Sequence, residues 1–214
     1  MSTPPLAPGF ARDAVEIAAD EPRYAGFIEL RELRLRHRLF EGGWSGYIER
    51  EVVLRKPAVG VLLYDPVLDV VALVEQFRIG ALMSDSASSP WLLELVAGLI
   101  DADGEEPADV ARREAQEEAG CVIQHLEFIC DYFSSPGATN EVFSLYCGRC
   151  DLAHAGGVHG LPEEGEDICV HVLAFDAVVG LLRSGGIRNA HTVIALQWLQ
   201  LNRSALRERW LGAH

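Results

Sequence analysis

Three carboxylates, Glu114, Glu117 and Glu118, stand at i, i+3 and i+4 in the run Arg113-Glu114-Ala115-Gln116-Glu117-Glu118. On a helix that spacing turns them to one face, where like charges repel unless a cation joins them. Hard divalent ions take carboxylate oxygens, and magnesium held by few protein ligands keeps positions open for water and substrate phosphates. A solvated surface helix scatters Lys among its Glu. Residues 114–118 contain no Lys, and Arg112 and Arg113 both precede the cluster. The chemistry this pattern predicts is metal binding, with Glu114 and Glu118 as direct ligands and Glu117 as an additional or water-mediated one.

The helix that must carry these groups is delimited by its own residues. Pro107 suits a first helical turn, Asp109 sits where the dipole favours an anion, and Gly120 stands where a left-handed cap closes a helix. The expected helix is 107–119. Val110, Ala111, Ala115 and Ala119 give it a stripe of small apolar residues that can lie closely on a sheet, leaving another face to bind.

The stretch Gly98 to Cys121 resembles the Nudix box: Gly, five residues, Glu, seven residues, Arg-Glu, an aliphatic, any residue, Glu-Glu, any residue, Gly, an aliphatic. Glu105, Arg113, Glu114, Glu117, Glu118 and Gly120 keep the spacing, whereas Gly98 and Glu105 are separated by six residues. The loop Asp101-Ala102-Asp103-Gly104 is thus one residue longer than the pattern. That insertion precedes the helix and leaves its carboxylate geometry alone. An isolated E-x-x-E-E fits an acidic surface helix equally well; the conjunction of all these positions is much rarer.

Around the box, hydrophobic periodicity predicts strands, then a helix, strands again, and helices. Asp13–Ala19, Gly26–Arg38 and Tyr47–Arg55 carry β patterns, Ala58–Tyr64 and Val70–Arg78 form a hairpin about Asp65-Pro66, and Trp91–Val96 leads into the box. Val122–Phe133 and Val142–Cys147 follow it. Asp176–Ser184 and Ala190–Arg207 read as helices, the second with Val193, Ile194, Leu196, Trp198, Leu199 and Leu201 on an apolar stripe. The order resembles the Nudix fold, so the expected class is α/β: an α/β/α sandwich with a mixed sheet over residues 57–214, preceded by an N-terminal antiparallel β-sheet region over residues 1–56.

Trp91-Leu92-Leu93-Glu94-Leu95-Val96-Ala97-Gly98, Ser135-Pro136-Gly137 and Asn189–Leu201 are similar to the bacterial ADP-ribose pyrophosphatase subfamily. The resemblance implies magnesium-dependent hydrolysis of the diphosphate of ADP-ribose to AMP and ribose 5-phosphate, with manganese as a possible substitute. In that subfamily a proline downstream of the box marks the ADP-ribose enzymes, and Pro136 stands there; a bare Ser-Pro-Gly is otherwise a plain turn. The resemblance adds the Ala97 carbonyl and Glu166 as metal ligands, and Glu164 as the base that activates water. A Gly-, Pro- and carboxylate-rich loop such as 160–167 suits gating and base catalysis alike. Arg113 is expected to pair with Glu105, and Gly98, Glu105, Arg113 and Gly120 are structural within the box.

Arg78, at the end of its strand, offers a guanidinium fork to the diphosphate; its ordinary alternative is a salt bridge with Glu75. Phe27 and Ile28, with Arg50 and Glu51, resemble residues that hold the adenine across a dimer interface, although a Phe is more often core. By position alone the resemblance adds Arg55, Leu99, Ser135, Pro136, Gly137 and Glu141. Two rival functions are a hydrolase of another nucleoside-diphosphate sugar such as GDP-mannose, and a non-catalytic Nudix-fold sensor that would have lost box carboxylates and gained a basic DNA-binding segment.

Composition narrows the partners. The chain of 214 residues carries a net charge of −14, which repels nucleic acid and anionic membranes over most of its surface. Its apolar runs are strand-length, far short of the roughly 20 residues of a membrane span, and Met1–Arg12 lacks an apolar signal core. Five cysteines, an odd number, fit a reduced, cytoplasmic setting. Cys147 and Cys150 form a single CxxC that would need His154 and His159 to complete a zinc site. The N-terminal region is too small to bury its own core, so the expected assembly is a homodimer with a small nucleotide-sugar substrate.

Overall fold

The computed structural model describes residues 8–101, 104–161 and 165–212. They fall into two compact units: the described residues up to 55 with 135–141, and those of 56–134 with those from 142 onward. Sequence order alone would have left 135–141 with the second unit.

The larger unit is built on a mixed sheet. Its strands are β4 (Ala58–Asp65), β5 (Val70–Phe77), β6 (Trp91–Glu94), β7 (Val96–Leu99), β8 (His125–Phe133), β9 (Val142–Arg149), β10 (Gly157–His159) and β11 (Ile168–Ala174). The order is β10-β11-β5-β4-β9-β8, with β6 paired to β5 and β7 to β4. β4 and β5 pair only near their turn, Leu63 opposite Ala72 and Asp65 opposite Val70. Beyond that point the hairpin opens, and β6 and β7 fill the gap, breaking direction at Leu95. The uninterrupted strand expected over Trp91–Val96 is therefore two short ones, and the break delivers Ala97 and Gly98 to the helix described next.

β4 is buried along its whole length, as its unbroken apolar run requires for a strand covered on both faces. On one face α2 (Pro107–Ala119) lays Val110, Ala111, Ala115 and Ala119 against Val59, Val61, Val74 and Val96. The helix has the expected limits: Pro107 opens it, and Gly120 caps it at φ 63°. On the other face α3 (Phe175–Arg183) and α4 (Ala190–Gly212) cover Leu62, Leu73, Leu95 and Leu145. Each such leucine, removed from water, contributes about 1.5–3 kcal/mol. Leu201, expected on the apolar stripe of α4, is 85 % exposed, because the buried row runs instead through Ala195, Leu196, Leu199, Leu206 and Trp210.

Polar side chains close the hairpin turn. The buried Asp65 carboxylate accepts from the Val67, Leu68 and Leu152 N–H groups. Asp69, at φ 59°, accepts from Tyr64 and is paired by Arg203 and Arg207 of α4. The strand β11 was absent from the expected elements, and α1 is a single turn, Ile79–Leu82. Cys147 and Cys150 lie in the two opposite cores, so the CxxC cannot face one metal, and all five cysteines are free thiols.

The smaller unit is a three-stranded antiparallel sheet, β1 (Val15–Ala25), β2 (Glu29–His37) and β3 (Ile48–Leu54), in that order. β1 runs further than expected, and as an edge strand it tolerates Pro22. The segment 135–141 joins this sheet: Val53 N–H donates to the Ala138 carbonyl, and Val53 bridges Thr139. Among its described apolar residues only Ala14 is fully buried, while Ile17, Tyr24, Phe27 and Phe40 are exposed. No helix among the described residues is long and apolar enough to cross a membrane.

Candidate active site

Glu118 leaves α2 toward the strand break and is 2 % exposed. Its Oε2 accepts from the Ala97 N–H at 3.0 Å. Glu114, one turn earlier, lies over Gly98, where a Cβ would fall 2.5 Å from Glu114 Cγ and nearer still to its carboxylate. The glycine is thus required by the acid above it. Burial raises both carboxyls, Glu118 to about 8 and Glu114 to about 7. Repulsion from Glu166 adds to the rise of both, after burial and nearer charges. Glu166 is anchored by the Leu161 N–H, which donates to its Oε2 at 3.2 Å.

Arg113 organises the outer side of the cluster. Its Nη1 lies 2.8 Å from Glu114 and 2.9 Å from Glu117, and its Nε lies 3.6 Å from Glu105. The expected pairing with Glu105 is therefore present but is the longest of three. Glu117 points to this arginine and Glu114 shares it, so the guanidinium spaces the carboxylates that α2 crowds together.

The charge of Arg78 is the last of the effects on the Glu118 carboxyl, where it opposes the rise caused by burial. The partner of this arginine is not Glu75, which is held by His171 at 2.8 Å. Arg78 Nε instead donates to Glu94 Oε2 at 2.7 Å, and Nη2 lies 2.7 Å from the same oxygen. Glu94 Oε1 accepts from Asn189 Nδ2 at 2.7 Å. The Asn189 side chain caps α4 by accepting from the Thr192 N–H and hydroxyl, and Thr192 Oγ1 accepts from the Leu95 N–H at the strand break. Burial, then the charge of Arg78, lowers the neighbouring His191 to about 3, holding it neutral. Glu94, Asn189 and Thr192 were not singled out from the sequence; the available signal was an Asn followed three residues later by Thr at a helix start.

Apart from Leu99 and Glu164, the other sequence candidates lie in the smaller unit. Phe27 is 88 % exposed in the β1–β2 turn beside Ile28, and is not core. Arg50 and Glu51 are on β3, where Arg50 faces Leu33 and Leu54 faces Glu29. Four residues along a strand, roughly 13 Å, therefore separate Arg50 from the end of β3 that meets the Phe27 turn. Arg55 pairs with Glu141 at 3.1 Å, and its N–H donates to Asn140. Ser135 closes a turn by accepting from the Ala138 and Thr139 N–H groups, with Pro136 and Gly137 at its tip. Leu99 ends β7, opposite Ala58 in the larger unit. Glu164 lies outside the described residues, as do Ala102 and Asp103 of the longer box loop.

The NUDIX domain model matches residues 54–211. The chain belongs to the NUDIX family. It is 46 % identical over 201 residues to the ADP-ribose pyrophosphatase of Escherichia coli (strain K12), covering 94 % of this chain and 95 % of that one. It is 35 % identical over 153 residues to the GDP-mannose pyrophosphatase of Cronobacter sakazakii, covering 72 % and 78 %. A solved structure described as an ADP compounds hydrolase superposes with a TM-score of 0.67 at 20 % identity, over 90 % of this chain and 96 % of that one, and so shares the fold.

In this Nudix chain the donor set suits a hard cation. Glu118 is buried and Glu114 half-buried, and both acids are held above their usual range, the condition that a bound cation reverses. Among the described residues no three His, Cys, Asp or Glu side chains form a ready cage. Magnesium asks for less: one or two carboxylates, with water and phosphate completing its shell.

Proposed function

We propose that this Nudix protein hydrolyses the diphosphate of ADP-ribose, giving AMP and ribose 5-phosphate, with Glu114, Glu118 and Glu166 as the side chains that hold magnesium. The observation that carries the reading is the convergence of Glu118 and Glu114 on the Ala97–Gly98 corner, with Glu166 near enough to repel both carboxylates. Similarity favours the substrate: identity to the ADP-ribose enzyme is higher and spans more of the chain than identity to the GDP-mannose enzyme. Retention of every box carboxylate argues against a non-catalytic sensor.

When bound, divalent cations neutralise phosphoryl oxygens and lower the pKa of water. The chain's own residues do the rest. Arg78 meets the diphosphate oxygens, and Glu117 with Arg113 spaces the ligands. Glu164 accepts the proton of the attacking water as the loop 160–167 closes. The Ala97 carbonyl completes the donor set on the same strand corner. Phe27, Ile28, Arg50 and Glu51 hold the adenine in a homodimer formed through the N-terminal sheet, whose exposed apolar residues support burial against a second copy. The free thiols support a reducing compartment, the cytoplasm. The test is a hydrolysis screen with magnesium or manganese over ADP-ribose, GDP-mannose and other nucleoside-diphosphate sugars. The highest kcat/KM is expected for ADP-ribose, and a preference for GDP-mannose would overturn the substrate assignment.

A further inference from the structure

We infer that Glu94 and Asn189 are positioning residues that aim Arg78 at the substrate diphosphate, an inference resting on the proposed role of Arg78. Glu94 is 1 % exposed, although a solitary carboxylate is among the groups least tolerated in an interior. Both of its oxygens are used. Oε2 takes two nitrogens of Arg78 at 2.7 Å, and Oε1 takes Asn189 at 2.7 Å. Arg78 Nη1 is not used by Glu94, and 40 % of the arginine side chain remains exposed.

An exposed arginine samples many rotamers, and ordering it on substrate costs affinity. Here that ordering is done in advance by a buried anion. The anion is itself fixed by the residue that caps α4, a helix rooted in the core through Ala195, Leu196 and Leu199. Thr192, on the same first turn, holds the Leu95 N–H, two residues before the Ala97 N–H that anchors Glu118. One helix terminus therefore sets both the cationic and the anionic side of the site.

The experiment measures KM and kcat for ADP-ribose with saturating magnesium in Glu94→Gln, Asn189→Ser, Arg78→Met and the double variant Glu94→Gln/Arg78→Met, with melting curves for each. Glu94→Gln keeps the shape and removes the anion; Asn189→Ser keeps a helix cap and removes the donor to Glu94. The expected result is a KM raised about tenfold in Glu94→Gln and about threefold in Asn189→Ser, with kcat within threefold. The double variant should be no worse than Arg78→Met alone, which a purely structural role would not produce. A KM unchanged in folded Glu94→Gln while Arg78→Met raises it, or single effects that multiply in the double variant, would overturn the positioning role and leave Arg78 in place. An unchanged KM in Arg78→Met would instead remove Arg78 from the diphosphate, and the inference with it. Should Glu94→Gln fail to fold, Asn189→Ser decides: an unchanged KM refutes the inference.

Discussion

Substituting Gly98 by alanine separates the site from the fold. The new methyl would fall 2.5 Å from Glu114 Cγ, whereas ordinary contacts begin at 3.4 Å. The clash is with the end of a flexible side chain rather than with backbone, so Glu114 swings away and the fold survives. The carboxylate must move by about 1 Å or more, and a misplacement of that size at a reacting centre costs about 10²-fold in rate. That loss corresponds to about 2.7 kcal/mol of transition-state stabilisation. Gly60→Ala is the contrast, because its methyl would fall 2.7 Å from Leu95 Cδ1 and 2.9 Å from Leu145 Cδ2 in the core. Overpacking there costs about 1–3 kcal/mol of stability. Steady-state kinetics beside thermal melts should show Gly98→Ala slowed about 10²-fold at nearly wild-type Tm, and Gly60→Ala with a lowered Tm. A fully active Gly98→Ala would refute the claim that Glu114 works from where it lies.

Glu118→Gln keeps an acceptor for the Ala97 N–H and removes the charge, so hydrolysis should fall by more than about 10²-fold without loss of fold; near wild-type rates in a magnesium titration would sink the ligand assignment. Glu164→Gln should lower kcat about 10²-fold with little change in metal dependence, whereas Glu166→Gln should raise the magnesium requirement; Glu163→Gln is the control, and if it proves the damaging change the base is misplaced by one residue. The hydrogen bond from Arg203 leads the effects that hold the Asp69 carboxyl below its ordinary 3.8, so its stabilisation is present above that value and is lost as pH falls through the lower folded value. Asp69→Asn, which tolerates the left-handed backbone, should lower Tm by about 2–4 °C at pH 7, for a pair worth about 1 kcal/mol after solvent screening. The deficit should begin to shrink only as the pH falls below 3.8 and should close below the lower folded value, and a deficit constant across that fall would assign it to something other than charge. Light scattering at micromolar concentration should give a dimer; a fully active monomer would defeat the adenine contacts assigned to Phe27, Arg50 and Glu51.

The sequence by itself determined what local rules govern. The limits of α2 follow from Pro107 and Gly120, its docking face from the alanine stripe, and its chemistry from three glutamates at helical spacing, all properties of one turn of chain. The hairpin about Asp65 was legible for the same reason. Tertiary structure decided what depends on partners distant in sequence. The break at Leu95 exists because an opening hairpin leaves a gap and a threonine 97 residues away takes the freed N–H. Strand β11, with weak alternation of its own, is fixed by pairing with β5. Arg78 looked toward Glu75 because neighbours in sequence are easy to see. It binds Glu94 because adjacent strands set those two side chains on one face, and because the cap of a helix that starts 96 residues later holds the acid in place. Periodicity reports which face a residue takes; only packing reports what waits there.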